Sequence, residues 1–233
     1  MQKTILMYHQ IDQIRQRGTP FWGLNVAPEA FRSQMYWLSR FGYQGLSLRE
    51  LAPYIEGRKR GKVVGLTFDD GLQGVHSHAL PVLRELGFTA TCFFVSSEIG
   101  GYNRWDEPIG IPYASCMSKA EVLEWAQAGN EIGAHTIDHI SLTKVSPLEA
   151  YRQIEGSRKQ LEDLAEQRVR SFCYPYGDVS RSIRDMAAQA GFTMATTTRR
   201  ARACSQDDPL LLPRRNVRHC NGWIATLRKS IFG

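Results

Sequence analysis

The sequence predicts an α/β fold in which a parallel sheet closes into a barrel. Short apolar runs, bounded by turn residues, alternate with helix-like segments, as in β-α-β units. The runs are continuously apolar, which is typical of strands buried on both faces. About six to eight such units fit in the 233 residues, which favours a barrel over an open sheet. The runs occupy residues 4–8, 63–68, 89–95, 131–134, 171–174 and 193–197.

The helices between these runs have recognisable ends. Ser118 and Ser146 each precede a glutamate by three residues, which is the pattern of a capping box. Apolar residues at helical spacing predict a helix over residues 147–167, with Pro147 at its first position. A glycine in the left-handed conformation commonly closes a helix. The glycines expected to do so are Gly42, Gly87, Gly129 and Gly191.

Composition places the chain among folded globular proteins. Hydrophobic residues make up 42% of it and charged residues 22%, a balance that excludes a disordered chain. No apolar run approaches the roughly 18–20 residues that a membrane span requires. No linker or low-complexity segment divides the sequence, so we expect a single domain over residues 1–233.

Cysteine usage and the first residues bear on the cellular compartment. The five cysteines are odd in number and contain no C-x-x-C pair, so we expect a reducing compartment rather than a disulfide framework. The first apolar run is too short for the core of a signal peptide. We therefore expect a cytoplasmic protein, and peripheral association with a membrane stays open.

The C-terminal segment, residues 199–233, is strongly basic. The net charge of the chain is +6, and eight basic but only two acidic residues follow residue 198. Such a surface can meet nucleic acid, an anionic membrane or an anionic substrate group, or it can simply be solvated. No nucleic-acid-binding module accompanies it, so we expect no nucleic acid partner. We expect the segment to close the barrel, with a short interfacial helix at residues 223–232 as the alternative.

Polar residues cluster where four of the predicted strands end. His9 follows the first run, and Asp69 and Asp70 follow the second. Residues 135–139 and 174–178 follow two later runs. In a (β/α) barrel the carboxyl ends of the strands share one face, and active sites are built there. We therefore expect these residues to form one site.

The residue types at this face predict metal-dependent hydrolysis. His135 and His139 are four residues apart, so in a helical turn both imidazoles can reach one cation. Two histidines and a carboxylate leave open positions on the ion, as in catalytic zinc sites. Of the adjacent Asp69 and Asp70, one can bind the ion while the other acts as general base. The same ligand set occurs in non-haem iron oxygenases, but a second adjacent aspartate suits hydrolysis better.

Five short motifs follow one another along the chain. They are LMYH-x-I at 6–11, TFDDG at 67–71, TCFFV at 91–95, HT-x-x-H at 135–139 and F-x-x-PYG at 172–177. In this order they resemble the polysaccharide deacetylases, which share the NodB homology domain of carbohydrate esterase family 4, and the opening motif is similar to that of the exopolysaccharide-deacetylase branch. The resemblance covers roughly residues 4 to 217.

The resemblance implies a distorted (β/α)7 barrel of NodB type. It also implies a hydrolase that removes an acetyl group from an N-acetylated sugar in polysaccharide or glycolipid metabolism. Asp69 would be the general base. Asp70, His135 and His139 would bind a divalent metal ion, with Zn²⁺ expected. Tyr176 would donate its backbone N–H to the developing oxyanion.

The sequence departs from the family pattern in three places. Cys173 stands where the family often has an arginine that tunes the base, so either an arginine of residues 213–215 replaces it or the base is untuned. We expect Cys173 itself to serve packing. The family's Asp-x-x-Asp-Trp motif is absent, and its late Leu-x-His motif has no clear counterpart. We expect His9, or else His219, to be the general acid.

Substrate contacts are expected from Pro175, Trp105 and Arg214. Trp105 lies in the long loop at residues 98–117 and is the best candidate for stacking on a sugar, whereas aromatics at regular spacing belong more often to the core. The expected partner is an N-acetylated sugar or glycan, including a lipid-linked substrate at a membrane surface. A non-catalytic carbohydrate-binding barrel and a deformylase of a lipid-linked sugar are the alternatives. The oligomeric state stays open.

Overall fold

The computed structural model describes residues 2–13 and 18–232, with side chains up to residue 230. The strands in these ranges are β1 (Ile5–Tyr8), β2 (Gln10–Ile11), β3 (Asn25–Val26), β4 (Gln44–Leu46), β5 (Val63–Phe68), β6 (Thr91–Phe94), β7 (Glu131–Ala134), β8 (Ser171–Cys173), β9 (Met194–Thr196) and β10 (Arg215–Asn216). The α-helices are α1 (Pro28–Arg40), α2 (Leu48–Ile55), α3 (Leu80–Leu86), α4 (Lys119–Gln127), α5 (Pro147–Ala165), α6 (Arg181–Gln189) and α7 (Trp223–Phe232).

The helix ends follow the sequence signals. Ser118 and Glu121 form the complete capping box of α4. Ser146 caps α5 through its side chain, but the carboxylate of Glu149 turns instead to Arg152 and Gln153. The expected closing glycines all have positive φ and lie just after α1, α3, α4 and α6. They are Gly42, Gly87, Gly129 and Gly191.

Most of the strands form one curled parallel sheet with helices around it. Its main path runs β10, β1, β5, β6, β7, β8, β9, and β4 pairs with the first half of β5. The register places Leu6 opposite Leu66 and Ala134 opposite Phe94. β7 and β8 pair through a single residue pair, Ala134 with Phe172, so the sheet is less regularly hydrogen-bonded there. The predicted fold class, a distorted (β/α)7 barrel, is confirmed.

Residues 209–217 connect the two sides of this sheet. Leu212 accepts a hydrogen bond from the backbone N–H of Thr197, just after β9. A few residues later the N–H of Val217 donates to Met7 in β1. Thus one short segment of the basic C-terminal region is hydrogen-bonded first to β9 and then to β1.

α7 packs on the body of the protein. Trp223 stacks on Trp37 of α1 with ring centroids 4.5 Å apart, and Leu227 is buried. Ile224 is exposed, whereas the side chains of residues 231 and 232, part of the interfacial-helix alternative, lie outside the described residues. Within the described chain, no helix has the length and apolar character needed to cross a bilayer.

Burial of β5 fixes the position of its last residues. All six residues of β5 are buried, because helices cover one face and barrel side chains fill the other. Phe68 packs against Tyr8 and Phe31, with ring centroids 5.4 and 5.7 Å away. The chain leaves this packed layer directly into Asp69, so a rigid strand end carries that carboxylate.

Candidate active site

A cavity of about 540 Å³ opens at the carboxyl ends of β1, β5, β7 and β8. Seven of the candidate residues chosen from the sequence border this cavity. Trp105 and its neighbours in the loop at residues 98–117 form one side of it. The other six are His9, Asp69, Asp70, His135, His139 and Tyr176.

Asp69, Cys173 and Arg214 form the first of two groups at the cavity, which we call the base centre; Asp69 borders the cavity, and the other two residues lie behind it. Arg214 donates from Nη1 to Oδ1 of Asp69 at 2.6 Å and from Nη2 to Oδ2 at 2.7 Å. Nη2 also contacts the sulfur of Cys173 at 3.1 Å. Asp69 is 3% exposed and Arg214 is 1% exposed. This is a buried, two-pronged ion pair, the strongest geometry for such a contact.

Every nitrogen of the Arg214 guanidinium donates a hydrogen bond in this position. Its Nε donates to the carbonyl of Thr197, and Nη1 also donates to the hydroxyl of Thr67. Burial alone would raise the pKa of Asp69, but the charge and hydrogen bonds of Arg214 outweigh it and hold that pKa below its usual range. Asp69 is therefore ionised at neutral pH.

Asp70, His135 and His139 form the second group, the imidazole centre. Oδ1 of Asp70 lies 3.5 Å from Nε2 of each histidine. Nδ1 of His135 lies 2.7 Å from the carbonyl oxygen of Cys173. A carbonyl can only accept, so Nδ1 of His135 carries a proton and Nε2 is the nitrogen that can bind a cation in the neutral ring.

The imidazole centre combines one protonated ring with two groups that have lone pairs available. Burial alone would lower the pKa of His135, but its interactions with Cys173, Asp70 and Asp69 outweigh burial and raise that pKa above its usual value, so His135 must release the proton on Nε2 when a cation binds. Burial, with a smaller contribution from His135, lowers the pKa of His139 to about 3. Burial alone would raise the pKa of Asp70, but His135, His9 and His139 outweigh it and keep it below its usual range. At neutral pH, His139 is therefore neutral and Asp70 is ionised, which are the forms that bind metal ions.

The imidazole centre fits a divalent cation. A tetrahedral ion with ligands about 2.0–2.2 Å away separates its ligand atoms by roughly 3.3–3.6 Å. The two nitrogen–oxygen distances of 3.5 Å fall within this range. The nitrogen and oxygen donor set suits zinc and other divalent ions, and the three residues border the cavity, where further ligands can enter.

The loops that carry the site residues after β5, β7 and β8 contain strained backbone conformations. Asp70, Thr136, His139 and Tyr176 have φ of 75°, 66°, 53° and 62°, which non-glycine residues rarely adopt. Such conformations cost on the order of 1–3 kcal/mol each and persist where the surrounding structure enforces them, commonly at functional sites. In Asp70 the left-handed turn sends the carboxylate away from Asp69 and toward the imidazoles.

Gln153 of α5 holds the loop between the two histidines. Its Oε1 accepts hydrogen bonds from the backbone N–H groups of Ile137 and Asp138, both at 3.0 Å. Its Nε2 donates to the carboxylate of Asp138. Gln153 is 1% exposed, so this anchor is protected from water.

The two candidate acids occupy different places. Nε2 of His9 lies 3.9 Å from Oδ2 of Asp69, and His9 borders the cavity. His219 instead packs on Trp22, with ring centroids 3.9 Å apart, and does not border the cavity. Nδ1 of His9 is buried and has no hydrogen-bond partner in the described part of the chain.

The three expected substrate contacts differ in position. Trp105 borders the cavity and lies against His139 with ring centroids 4.9 Å apart. Pro175 is buried and begins the turn that presents Tyr176, a residue that is 49% exposed. Arg214 is behind Asp69 and outside the cavity wall, so its placement does not fit the expected substrate contact. Trp125 and Trp223 belong to packing between elements.

Two features of the site were missed by the sequence analysis. Cys173 packs in a hydrophobic cluster, as expected, but its sulfur also lies 3.1 Å from Nη2 of Arg214 in the base centre, a contact that the sequence did not predict. Gln153 has no local signal, since its role depends on how α5 packs on the loop after β7. The only sequence signal for the pairing of Arg214 with Asp69 was that Cys173 occupies the position where the family often has an arginine.

Comparisons with known proteins agree with the fold and the motif order. The family model for polysaccharide deacetylase matches residues 56–195. YxkH of Bacillus subtilis (strain 168), named for the polysaccharide deacetylases, is 30% identical over 196 residues, covering 83% of this chain and 63% of that protein. The poly-β-1,6-N-acetyl-D-glucosamine N-deacetylase of Staphylococcus epidermidis is 28% identical over 184 residues, 73% of this chain and 61% of its own. The chain thus spans about three fifths of the length of these relatives.

Solved structures share the fold along nearly the whole chain. The Streptococcus pyogenes deacetylase PplD, solved in complex with acetate, superposes with a TM-score of 0.85 at 24% identity and covers 99% of this chain and 98% of its own. IcaB from Ammonifex degensii gives a TM-score of 0.81 at 23% identity, with 99% and 97% coverage. At these identities the likeness establishes the fold.

Proposed function

Because the chain belongs to the polysaccharide deacetylase family, we propose that it is a hydrolase that removes the acetyl group from an N-acetylated sugar. One observation carries the proposal. An ionised, buried Asp69 lies beside a converging Asp70, His135 and His139, and all four border one cavity. A general base next to three metal ligands is the arrangement that amide hydrolysis by an activated water requires.

Asp70, His135 and His139 would hold a divalent cation, and Zn²⁺ suits their two nitrogens and one oxygen. When bound, such an ion lowers the pKa of a water molecule and polarises the carbonyl of the amide. The hydrogen bond from His135 to the Cys173 carbonyl fixes the ring and its tautomer. Gln153 fixes the loop that carries His139.

Asp69 acts as the general base. Its carboxylate accepts a proton from the attacking water as the new carbon–oxygen bond forms. Arg214 keeps this carboxylate ionised and prevents it from rotating, since both oxygens are held by the guanidinium. Arg214 therefore acts through Asp69 as a positioning residue. It takes the role of the family's usual arginine, whose position is occupied by Cys173 in this chain.

His9 donates the proton that the leaving amine needs when the carbon–nitrogen bond breaks. The position of its ring at the cavity wall, 3.9 Å from Asp69, supports this role over His219. The backbone N–H of Tyr176, held in a left-handed turn at the cavity wall, donates to the developing oxyanion. The products are acetate and the free amino sugar.

Trp105 and Tyr176 flank the imidazole centre and offer aromatic surfaces for a sugar ring. Pro175 sets the turn that presents Tyr176. The relatives named as poly-β-1,6-N-acetyl-D-glucosamine N-deacetylases support an N-acetylglucosamine unit as the group that enters. Acetate release from N-acetylglucosamine oligomers, compared with release from lipid-linked N-acetylglucosamine, would show whether a glycan or a glycolipid at a membrane carries this unit.

The test compares the wild type with Asp69→Asn and with Asp163→Asn, a matched change at an exposed position on α5. We expect both variants to retain stoichiometric metal. Acetate release from N-acetylglucosamine oligomers should fall by about 10²–10⁴-fold in Asp69→Asn alone, the usual contribution of a general base. Unchanged acetate release in Asp69→Asn would remove the proposed base. Full metal content without release of acetate or formate from any acylated sugar would favour the binding protein, and formate release would favour the deformylase.

A further inference from the structure

One wall of the cavity carries positive charge that the proposed chemistry does not use. Arg200 and Arg218 border the same cavity as Asp69 and Asp70. Within residues 2–13 and 18–230, neither guanidinium has a carboxylate within 4.0 Å. By contrast, the exposed Arg199 is paired with Asp207, and Arg184 with Asp208. Both arginines are exposed, and both border the cavity with no carboxylate of the described residues beside them.

More positive charge lies behind these two arginines. Lys229 is half-buried, and among the described residues its Nζ donates to uncharged oxygens, the carbonyl of Asn216 at 2.7 Å and Oδ1 of Asn221 at 2.6 Å. Burial lowers the pKa of Lys229 to about 8; Cys220 opposes this change, and the nearby charges of Arg200, Arg218 and Arg215 add to it. This end of the cavity thus has a positive potential that its own residues do not neutralise.

Two carboxamides at the same end need hydrogen-bond donors. Asn25 and Asn216 both border the cavity, and their Oδ1 atoms are buried with no partner among the described residues. Buried polar atoms are nearly always hydrogen-bonded in native proteins, so such atoms point to a ligand or water. The hydroxyl groups of a sugar are donors of the required kind.

The fold holds these residues together. β10 pairs with β1 so that Asn216 lies opposite Met7, which also borders the cavity. The backbone N–H of His219 donates to Gly23, and the ring of His219 packs on Trp22. These contacts tie the segment before Asn25 to the segment that carries Asn216 and Arg218.

We propose that Asn25, Arg200, Asn216 and Arg218 form a cationic subsite that binds an oxyanion group on the substrate. The inference rests on the proposed function and deepens it: the substrate is an anionic N-acetylated sugar, with a phosphate ester or a carboxylate attached to the sugar or its neighbour. The guanidinium groups bind the oxyanion through charge-assisted hydrogen bonds, and the carboxamides accept from sugar hydroxyls. A neutral glycan would leave both arginines and their charge unused.

The test uses the full zinc-loaded chain and three probes with the same acetamido group. They are N-acetylglucosamine 1-phosphate, N-acetylmuramic acid and the neutral methyl glycoside of N-acetylglucosamine. We expect the wild type to prefer one anionic probe over the neutral one by roughly tenfold or more in kcat/KM, mainly through KM. The phosphate and carboxylate probes distinguish the two sources of the oxyanion.

Arg200→Gln and Arg218→Gln should each reduce this ratio toward one, and raised salt should reduce it in the wild type. The matched control is Arg228→Gln, an exposed basic residue of α7 outside the cavity, which should keep the wild-type ratio. A ratio near one in the wild type, or a ratio unchanged in Arg200→Gln and Arg218→Gln, would overturn the subsite.

A binding measurement separates the subsite from the proposed function. Calorimetry of N-acetylglucosamine 1-phosphate and N-acetylmuramic acid should show affinity in the wild type that is lost in Arg218→Gln and kept in Arg228→Gln. That result without acetate release would support the subsite and reject the deacetylase. Acetate release with equal affinity for charged and neutral probes would support the deacetylase and reject the subsite.

Discussion

The base centre and the imidazole centre start from adjacent residues but are completed in opposite ways. Asp69 ends a buried strand and has both oxygens on Arg214, so the chain itself supplies its counter-charge. Asp70 turns away with φ of 75° and directs one oxygen at His135 and His139, each 3.5 Å away. One carboxylate is already ion-paired, and the other is arranged to share a cation with two imidazoles.

The difference shows how neighbouring aspartates acquire separate roles. Side chains of consecutive residues diverge at a strand end, and here a left-handed turn increases the divergence. Gly71 continues this turn, and a Cβ at that position would lie 2.6 Å from the ring of Phe94. The backbone after β5 therefore determines which carboxylate faces Arg214 and which faces the histidines. We expect variants that alter one centre at a time to separate the two roles.

The largest effect is expected from Asp70→Asn, which removes the charge of the imidazole centre. Loss of a bound ion costs several kcal/mol of transition-state stabilisation, on the order of a thousandfold in rate. We expect metal content and acetate release to fall together, and added Zn²⁺ to stop raising the unfolding temperature. Metal analysis and thermal unfolding check this. Asp69→Asn is the control, because it should lose activity but keep the ion; full metal in Asp70→Asn would contradict the assignment.

Arg214→Met should mainly affect stability, because it leaves the buried Asp69 carboxylate without a partner. Breaking a buried ion pair from one side costs about 3–5 kcal/mol, measurable by urea unfolding at pH 7. Asp69 has a lowered pKa in the folded wild type, so its contribution to stability is present above the unfolded pKa and is lost as pH falls through the folded pKa. The stability difference between wild type and variant should therefore shrink in acid.

Activity gives a second measure of Arg214, since its charge keeps the pKa of Asp69 low. Without it that pKa rises, so the acid limb of the kcat/KM profile should move to higher pH. Arg214→Lys retains a positive charge, and we expect its acid limb to lie between those of the wild type and Arg214→Met. An acid limb that is identical in all three proteins would show that Arg214 does not tune the base.

A smaller effect is expected when Gln153, which supports the imidazole centre from α5, becomes alanine. Loss of an outer partner typically lowers metal affinity or activity by about 10–100-fold. The fold should survive, since the change leaves the core of α5 intact, and excess Zn²⁺ should restore most activity. Competition with a chelator measures the affinity. Gln127→Ala, at an exposed position of α4, should leave affinity at the wild-type value; equal affinity in Gln153→Ala would mean that the loop holds its shape without α5.

The smallest effect is expected from Cys173→Ala in the base centre. The sulfur is one of several acceptors around Arg214, and the carbonyl that binds His135 belongs to the backbone. A single neutral acceptor contributes about 1 kcal/mol, so unfolding free energy and kcat/KM should change little. A loss as large as that of Arg214→Met would show that the thiol, rather than the ion pair, organises Asp69.

Local signals determined much of the architecture. Ser118 with Glu121, the closing glycines and the apolar runs predict helix ends and strands, because caps, left-handed turns and two-sided burial depend on residues close together in the chain. The fold class follows from the alternation of these elements. The candidate metal ligands could also be found from short stretches of sequence, since His135 and His139 share one loop and Asp69 and Asp70 share another.

Contacts between distant residues were decided by the tertiary structure alone. Arg214 is 145 positions from Asp69, and they meet because β10 lies beside β1 and β1 beside β5. Gln153 reaches the loop after β7 only because α5 packs there. Even Asp70 needs its left-handed turn to meet the imidazoles. Residue types and spacing determine which groups are available, but strand order and packing determine which of them share a partner, because pairing energy depends on distance in space.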